Sequence, residues 1–405
     1  MTEARPVPSV PARRRRTGRR AAVVAAAVAA ALALVVLAHR YLLARLVFEP
    51  GVPPPWRGIL VALVAALAVA MALEPFASRA LPPRRARLVV APGMLWMGVL
   101  FVTLNLTLAS DFLLWLLGAG FAPDAGVDPE GPARARALAV AGVAAAATGA
   151  GLHGALRAPR TRRVEIRLPR WPAELDGFRI VQISDLHVGP LRGRRFAAEV
   201  TARVNALAPD VVAVTGDLVD GSARRLRDEV APFGALRARH GVYFVTGNHD
   251  WYSGAEAWIA RARELGMRVL RNERVEIAAR GASFDLAGVD DHRGDWVHGS
   301  PCDLAKALEG RDPARPVVLL AHDPTTFAEA SRRGVDLQLS GHTHGGQIWP
   351  FRWLVRLVVP WVEGLHRRGA SALYVSRGTG FWGPPLRLFA PAEISELVLR
   401  PERPA

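Results

Sequence analysis

Five short clusters in the C-terminal two thirds of the chain, Asp185-Leu186-His187, Gly216-Asp217, Gly247-Asn248-His249-Asp250, His322 and Gly341-His342-Thr343-His344, each follow a short apolar run rich in β-branched residues. Such runs predict strands. Polar residues placed directly after them predict loops at the carboxyl ends of neighbouring strands, where open α/β sheets gather their sites. A chain that has to bring five such loop ends together is restricted to an α/β layered domain. Strands are expected at 179–183, 211–214, 242–245, 284–287, 317–320, 337–339, 373–375 and 396–399, with helices at 194–206 and at 255–265, the latter stopped by Gly266.

The spacing within the clusters has a chemical reading. In Asp185-x-His187 an extended backbone would point both side chains the same way, so that one cation can take both, and His342-x-His344 repeats the device. Mixed carboxylate and imidazole ligands suit Mn, Fe or Zn, whereas Mg and Ca prefer oxygen alone. Asp217 stands alone after its strand, and a single carboxylate can bridge two cations about 3.5 to 4 Å apart, a distance at which both can share a hydroxide. Taken singly, each cluster has an ordinary reading: Gly247-Asn248-His249-Asp250 is a good turn, and His322 alone is a satisfied buried histidine. The conjunction differs, because five of the eleven histidines fall in these clusters.

The order D-x-H, G-D, G-N-H-D, H, G-H-T-H resembles the calcineurin-like metallophosphoesterase superfamily over roughly residues 176–400. The resemblance implies that Asp185, His187 and His344 hold a first metal, that Asn248, His322 and His342 hold a second, and that Asp217 bridges them. It also implies catalytic roles for His249, a histidine that faces the substrate phosphate without ligating, and for Asp250, which would orient it. The fold implied is a four-layer αββα sandwich. Gly345-Gly346-Gln347, the run Tyr374-Val375-Ser376-Arg377-Gly378 and Pro391-Ala392-Glu393-Ile394 further resemble a bacterial membrane-associated branch. With helices ahead of the domain, the chain is similar to the family called transmembrane protein with metallophosphoesterase domain. The reaction implied is hydrolysis of a phosphomonoester, phosphodiester or pyrophosphate by in-line attack of a metal-bridging hydroxide, with lipid headgroups among the candidate substrates. The alternative is a catalytically silent membrane scaffold that keeps metals for structure. A complete ligand set plus His249 argues against it.

Competing chemistries lack their signatures. There is no G-x-x-x-x-G-K-[ST] loop, Lys306 is the one lysine, and there is no G-x-S-x-G elbow. Cys302, the single cysteine, excludes an internal disulfide and a Cys-rich zinc site, and reads as incidental. Arg377 and Arg387 are candidate phosphate clamps.

Four apolar stretches precede the domain, at 21–38, 58–73, 88–110 and 137–156, against the roughly 20 residues a bilayer requires. The second is short. The fourth is rich in Ala and Gly and only marginally hydrophobic. The organisation expected is therefore a basic segment at 1–20, an all-α four-helix transmembrane region at 21–156, a linker at 157–175 and the catalytic domain at 176–400. Residues 112–121 are expected to lie in the membrane interface and 123–132 to form an exposed loop. The net charge of +16 resides mostly in the membrane region, where arginines flank apolar helices, so no nucleic-acid partner is expected. Fifteen arginines fall in the segments before the first helix, after the second and after the fourth, against five in the alternate loops. By the positive-inside rule this places a multi-pass protein in the cell membrane with its catalytic domain in the cytoplasm; if the weak fourth helix fails to insert, the domain is extracytoplasmic. Arg15-Arg16 or Arg19-Arg20 ahead of an apolar run imitates a twin-arginine export signal, but no small-residue cleavage site follows. Finally, 348–361 sets Trp349, Trp353 and Trp361 beside Arg352 and Arg356, a composition suited either to the membrane interface or to core packing. The oligomeric state has no sequence signal.

Overall fold

A computed structural model describes residues 13–118, 130–292 and 302–402, with side chains described from residue 25 onward. The expected basic segment lies outside the described residues as far as residue 12. Helices α1 (Arg13–Leu43), α2 (Trp56–Ala80), α3 (Pro83–Leu116) and α4 (Glu130–Leu156) are each long and apolar enough to cross a membrane. Their most apolar windows have mean hydropathies from 2.4 in α2 down to 1.4 in α4. The Ala and Gly content of α4 accounts for its low value. Each helix outruns its apolar stretch. Pro83 opens α3 at a position where its missing N–H costs nothing, and α3 then runs for 34 residues, roughly 50 Å at 1.5 Å per residue. It takes in residues 112–116, which corrects the reading of 112–121 as a separate interfacial segment; residues 119–121 lie outside the described residues. The loop expected at 123–132 also lies outside them up to residue 129, and α4 has already begun at Glu130.

The chain divides into two compact units, 1–66 with 99–144 and 67–98 with 145–405, so α2, α3 and α4 each contribute to both. In the first, Asp111 pairs with Arg45 at 3.0 Å and Arg136 at 2.8 Å and accepts from the Tyr41 hydroxyl, tying α1, α3 and α4 together through one carboxylate.

The second unit holds two six-stranded sheets. One contains β1 (Arg160–Leu168), β2 (Phe178–Ile183), β3 (Val211–Thr215), β4 (Val242–Val245), β5 (Arg268–Val269) and β12 (Glu393–Pro401), in the order β1-β12-β2-β3-β4-β5. The other contains β6 (Glu273–Ala279), β7 (Ala282–Gly288), β8 (Val317–Leu320), β9 (Leu337–Ser340), β10 (Gly364–Arg368) and β11 (Ser371–Val375), in the order β10-β11-β9-β8-β7-β6. Runs β2 to β5 and β7-β8-β9-β11 are parallel, whereas β12 lies antiparallel to β2 and parallel to β1. Arg160 to Leu168 thus pair residue by residue with Glu393 to Pro401. That pairing corrects the reading of 157–175 as a linker, since half of it is an edge strand of the first sheet.

Side-chain alternation builds the layers. Phe178 and Ile180 of β2 and Val211 and Ala213 of β3 point towards Phe284, Leu286, Val318, Leu320, Leu337 and Leu339 of the second sheet, forming the core between sheets. The intervening residues, Val181, Ile183, Val212 and Val214, face the other way against α5 (Arg194–Ala206) and a later helix (Ala255–Glu264). Ala287, Val317 and Leu319 do the same on the far side of the second sheet, against Leu304 and Ala307 and against Ala330 of the helix Phe327–Arg332. The result is the four-layer αββα sandwich. Each large residue in the inter-sheet core, such as Phe178 or Phe284, contributes about 1.5–3 kcal/mol.

Candidate metal centre

All five sequence clusters follow directly on strands, β2, β3, β4, β8 and β9, and their loops are laced together by the backbone. Asp185 N–H donates to Gly216 O at 3.1 Å, His187 N–H to Asp217 O at 3.0 Å and Gly341 N–H to His322 O at 3.0 Å. Side chains add to this: His342 N–H donates to Asp185 Oδ1 at 3.0 Å and His249 N–H to Asp217 Oδ1 at 2.8 Å. The expected extended Asp185-x-His187 is not what forms. Asp185, His187, Asp217, His342 and His344 all have φ between 46° and 74°, left-handed backbone that costs non-glycine residues about 1–3 kcal/mol each. The chain is turning sharply out of each strand, and this turn, in place of strand alternation, aims the side chains inward. Gly216, at φ 85°, is needed for the same reason, because a Cβ there would lie 2.6 Å from His322 Nδ1.

The seven predicted ligands converge. Ligand atoms of Asp185, His187 and His344 lie within 4.8 Å of one another, as do those of Asp217, His322 and His342. A third group joins His187, Asp217 and His249, so Asp217 belongs to two of the three. Asn248 Oδ1 is 2.9 Å from His342 Nδ1. His187 Nε2 and His344 Nε2 stand 3.0 Å apart, too close for two donors and arranged as two ligand atoms would be around a shared point. His322 donates through Nδ1 to Thr215 O at 2.8 Å, which fixes its tautomer and frees Nε2. That Nε2 is buried without a hydrogen-bond partner, although Asp217 Oδ2 is 3.2 Å away. A buried, unsatisfied imidazole nitrogen facing a carboxylate fits a divalent cation, and so does the nitrogen–oxygen donor set.

His249 sits beside this centre, and its partner is not the one expected. Asp250 is buried and accepts from the backbone N–H groups of Gly247, Asp217 and Leu218 at 2.8 to 3.0 Å. It therefore pins two ligand loops together and does not reach the His249 ring. Burial, reinforced by the charge of Asp217, pushes its carboxyl up to about 7. The carboxylate on His249 is Asp220, whose Oδ1 accepts from His249 Nδ1 at 2.7 Å and from His187 Nδ1 at 3.0 Å. Burial opposes charge on His249, but Asp217 and Asp220 outweigh it and push the ring up to about 9. Asp220 was legible only as the second carboxylate of Asp217-Leu218-Val219-Asp220, a spacing with many ordinary explanations.

Neither candidate arginine clamp is free. Arg387 is buried and donates to Gly380 O, Ala390 O and His344 O, so it braces the loop of a predicted ligand. Arg377 is paired with Glu363 at 2.5 Å. Cys302 is partly buried, and burial pushes its thiol up to about 12, in keeping with an unreactive group. The Trp-rich segment divides. Trp361 packs edge-on against Phe327 and belongs to the core. Trp349 remains 52% and Trp353 57% exposed, and Leu357 and Val358 of the same short helix (Phe351–Val358) are more exposed still.

A cavity of about 550 Å³ reaches the edge of this centre at His187. His187, Asp220, His249 and Trp382 line one side, and Glu74, Arg79, Val90 and Met94 of the α2–α3 hairpin line the other. The hairpin is docked on the αββα sandwich. Ala77, Ala86 and Val90 bury against Leu191, and Arg225 donates to the carbonyls of Ala80 and Leu81 at the end of α2, where a cation complements the helix dipole. A second contact lies at α4: Arg387 N–H donates to Gly151 O at 2.8 Å, and a Cβ on Gly154 would meet Arg387 O at 2.7 Å.

Comparison with known proteins gives the same family. Residues 178–346 match the calcineurin-like phosphoesterase domain. The chain is 42% identical over 262 residues to the transmembrane protein with metallophosphoesterase domain of Bos taurus, covering 62% of this chain and 59% of that one. It is 36% identical over 257 residues to an uncharacterized metallophosphoesterase of Helicobacter pylori, covering 63% and 68% respectively. An uncharacterized metallophosphoesterase of Aquifex aeolicus is 35% identical over 221 residues, 54% of this chain and 83% of that one. The chain thus spans about three fifths of the length of the Bos taurus and Danio rerio relatives it matches. These matches and the convergent ligand set place the chain in the calcineurin-like metallophosphoesterase family.

Proposed function

We propose that this chain is a membrane-anchored hydrolase that uses two divalent cations, Mn, Fe or Zn, to cleave a phosphoester or pyrophosphate bond in the headgroup of a membrane lipid. Asp185, His187 and His344 would hold one cation, Asn248, His322 and His342 the other, and Asp217 would be shared between them. Bound there, such cations supply Lewis-acid polarisation of the phosphoryl group and a nucleophile from water at neutral pH. The chain's own residues do the rest. Asp220 holds His187 by its outer nitrogen, as carboxylates commonly orient metal-binding histidines. The same oxygen fixes His249 through Nδ1, which leaves Nε2 in the cavity to protonate the departing oxygen.

The observation that carries the lipid reading is the composition of the cavity: one wall bears the candidate catalytic groups and the opposite wall is made by two apolar, membrane-length helices. Exposed Trp349 and Trp353 support it, since tryptophan favours the membrane interface. We further place the sandwich in the cytoplasm. The arginine asymmetry supports this side, and Arg79, Arg84, Arg85 and Arg87 all lie at the α2–α3 turn that docks on the sandwich. Arg160, Arg162 and Arg163 belong to β1, so their charge sits on the sheet itself.

The test is turnover by purified, metal-loaded, full-length protein on a panel of lipid and water-soluble phosphoesters, with and without chelator. Chelator-sensitive hydrolysis of a lipid substrate is expected; metal binding without hydrolysis of any ester would favour the scaffold.

A further inference from the structure

Glu74 is the membrane-helix residue whose chemistry has no explanation in the anchor. It lies at the end of the apolar run of α2, where an ionisable group is costly and ordinarily signals a function. It is half-buried, and its carboxylate accepts one hydrogen bond, from Ser78 Oγ one turn along at 2.7 Å. Among the described residues it makes no ion pair, although Arg79 and Arg225 are close by in the same cavity and are turned instead to main-chain carbonyls. Its carboxylate therefore faces a cavity shared with Asp220 and His249. Beside it, the partly buried Met94 of α3 adds an apolar side chain to the wall.

We propose that Glu74 is a specificity-determining residue of the substrate cavity, receiving a hydrogen-bond donor, ammonium or hydroxyl, on the alcohol side of an amphiphilic phosphoester. This rests on the phosphoesterase reading and deepens it. The phosphorus would lie beside His187 and His249, the polar headgroup would reach across to Glu74, and the apolar chains would leave past Met94. The physical logic is that of a site built to hydrogen-bond its substrate. An analogue lacking the donor covers the second oxygen of the Glu74 carboxylate without pairing it and is strongly disfavoured.

The experiment uses the full-length, metal-loaded protein in detergent micelles. Hydrolysis of p-nitrophenyl phosphate and bis(p-nitrophenyl) phosphate is measured, together with competition by three short-chain lipids of identical acyl composition, phosphatidylethanolamine, phosphatidylglycerol and phosphatidylmethanol. The first two carry a donor, as ammonium and as hydroxyl, and the third carries none. The wild-type protein is expected to prefer at least one donor-bearing lipid over phosphatidylmethanol by about tenfold or more, the scale of one charge-assisted hydrogen bond. In Glu74→Gln that ratio should collapse to within about twofold, and Glu74→Asp should retain part of it. No preference in the wild type, or a preference that survives Glu74→Gln, overturns the assignment. Loss of all activity in both variants also overturns it, because a selectivity residue leaves the chemistry in place. Binding of the same lipids by isothermal titration runs in parallel. A protein that hydrolyses neither p-nitrophenyl ester loses the phosphoesterase reading, while the headgroup preference is still scored by binding.

Discussion

Asp220→Asn is the substitution with the most to say about how this centre works. One carboxylate oxygen of Asp220 accepts from both His187 Nδ1, at 3.0 Å, and His249 Nδ1, at 2.7 Å, so a single charge orients a predicted ligand and the predicted proton donor together. A hydrogen bond to a charged group contributes about 1.5–3 kcal/mol and a neutral one about 0.5–1.5 kcal/mol. Removing the charge while keeping the shape should therefore cost about 1 to 1.5 kcal/mol at each histidine, or about 2 to 3 kcal/mol for the pair. At about 1.4 kcal/mol per decade of rate, kcat/KM should fall roughly 30- to 150-fold. The pH profile separates this from a general loss of structure. A proton donor works below its pKa and is lost as pH rises through it, and His249 is pushed up to about 9 against burial by Asp217 and Asp220. Neutralising Asp220 lowers that value, so the alkaline limb of kcat/KM should move towards lower pH. Bound cations depress His249 in both proteins without changing the direction of the difference. Steady-state kinetics from pH 6 to 10 on a soluble ester provides the assay. An unshifted alkaline limb with kcat/KM within about twofold of wild type would refute the role given to Asp220.

Four other outcomes are expected. Asp217→Asn should lose most activity and one or both metals, whereas His249→Ala should keep its metal content and lose about 10²-fold or more in turnover; metal analysis beside kinetics checks both, and full activity in either variant removes that assignment. A Trp349→Ala/Trp353→Ala variant should hydrolyse a lipid in vesicles at least about tenfold less well, since each side chain has on the order of 100 Å² of exposed surface to bury, while turnover on a soluble ester stays near wild type; equal loss on both would mean a packing role. A reporter fused after Ala405 should score as cytoplasmic, and an extracytoplasmic signal would mean an odd number of spans.

The sequence disclosed the interior of this fold better than its margins. The strands it reveals, including β2, β3, β4, β8, β9 and β11, are the buried inner ones, whose mainly apolar residues leave one reading. The strands it conceals, β1, β5, β6 and β10, are the four edges of the two sheets. Edge strands keep one side open to water and carry charge to discourage further pairing. Arg160-Thr161-Arg162-Arg163 consequently reads as a juxtamembrane linker until Ile394 and its neighbours are seen alongside. The candidate site divides the same way. The predicted ligands are legible because Asp185, His187, Asp217, Asn248, His322, His342 and His344 occur together in the order of a known motif set. Asp220 and Glu74 are not, because each is one carboxylate whose meaning comes from residues distant in the chain. The left-handed backbone at the ligands was equally hidden, since nothing in Asp-Leu-His distinguishes an extended segment from a turn.

The placement of β12 has a consequence for how the protein is made. Its partners are β1 and β2, the earliest described strands, yet among the described strands it is translated after all the others. Residues 169–392 must be synthesised before β1 can pair, on the order of ten seconds or more at about 5–20 residues per second. During that interval the apolar helices are already available for insertion, and β1, three residues beyond α4, waits close to the bilayer with its ladder groups unpaired and open to the wrong strand. A stop codon shortly before Glu393 would yield a chain with every predicted metal ligand translated and all the described helices present, but without the strand that pairs β1 to β2.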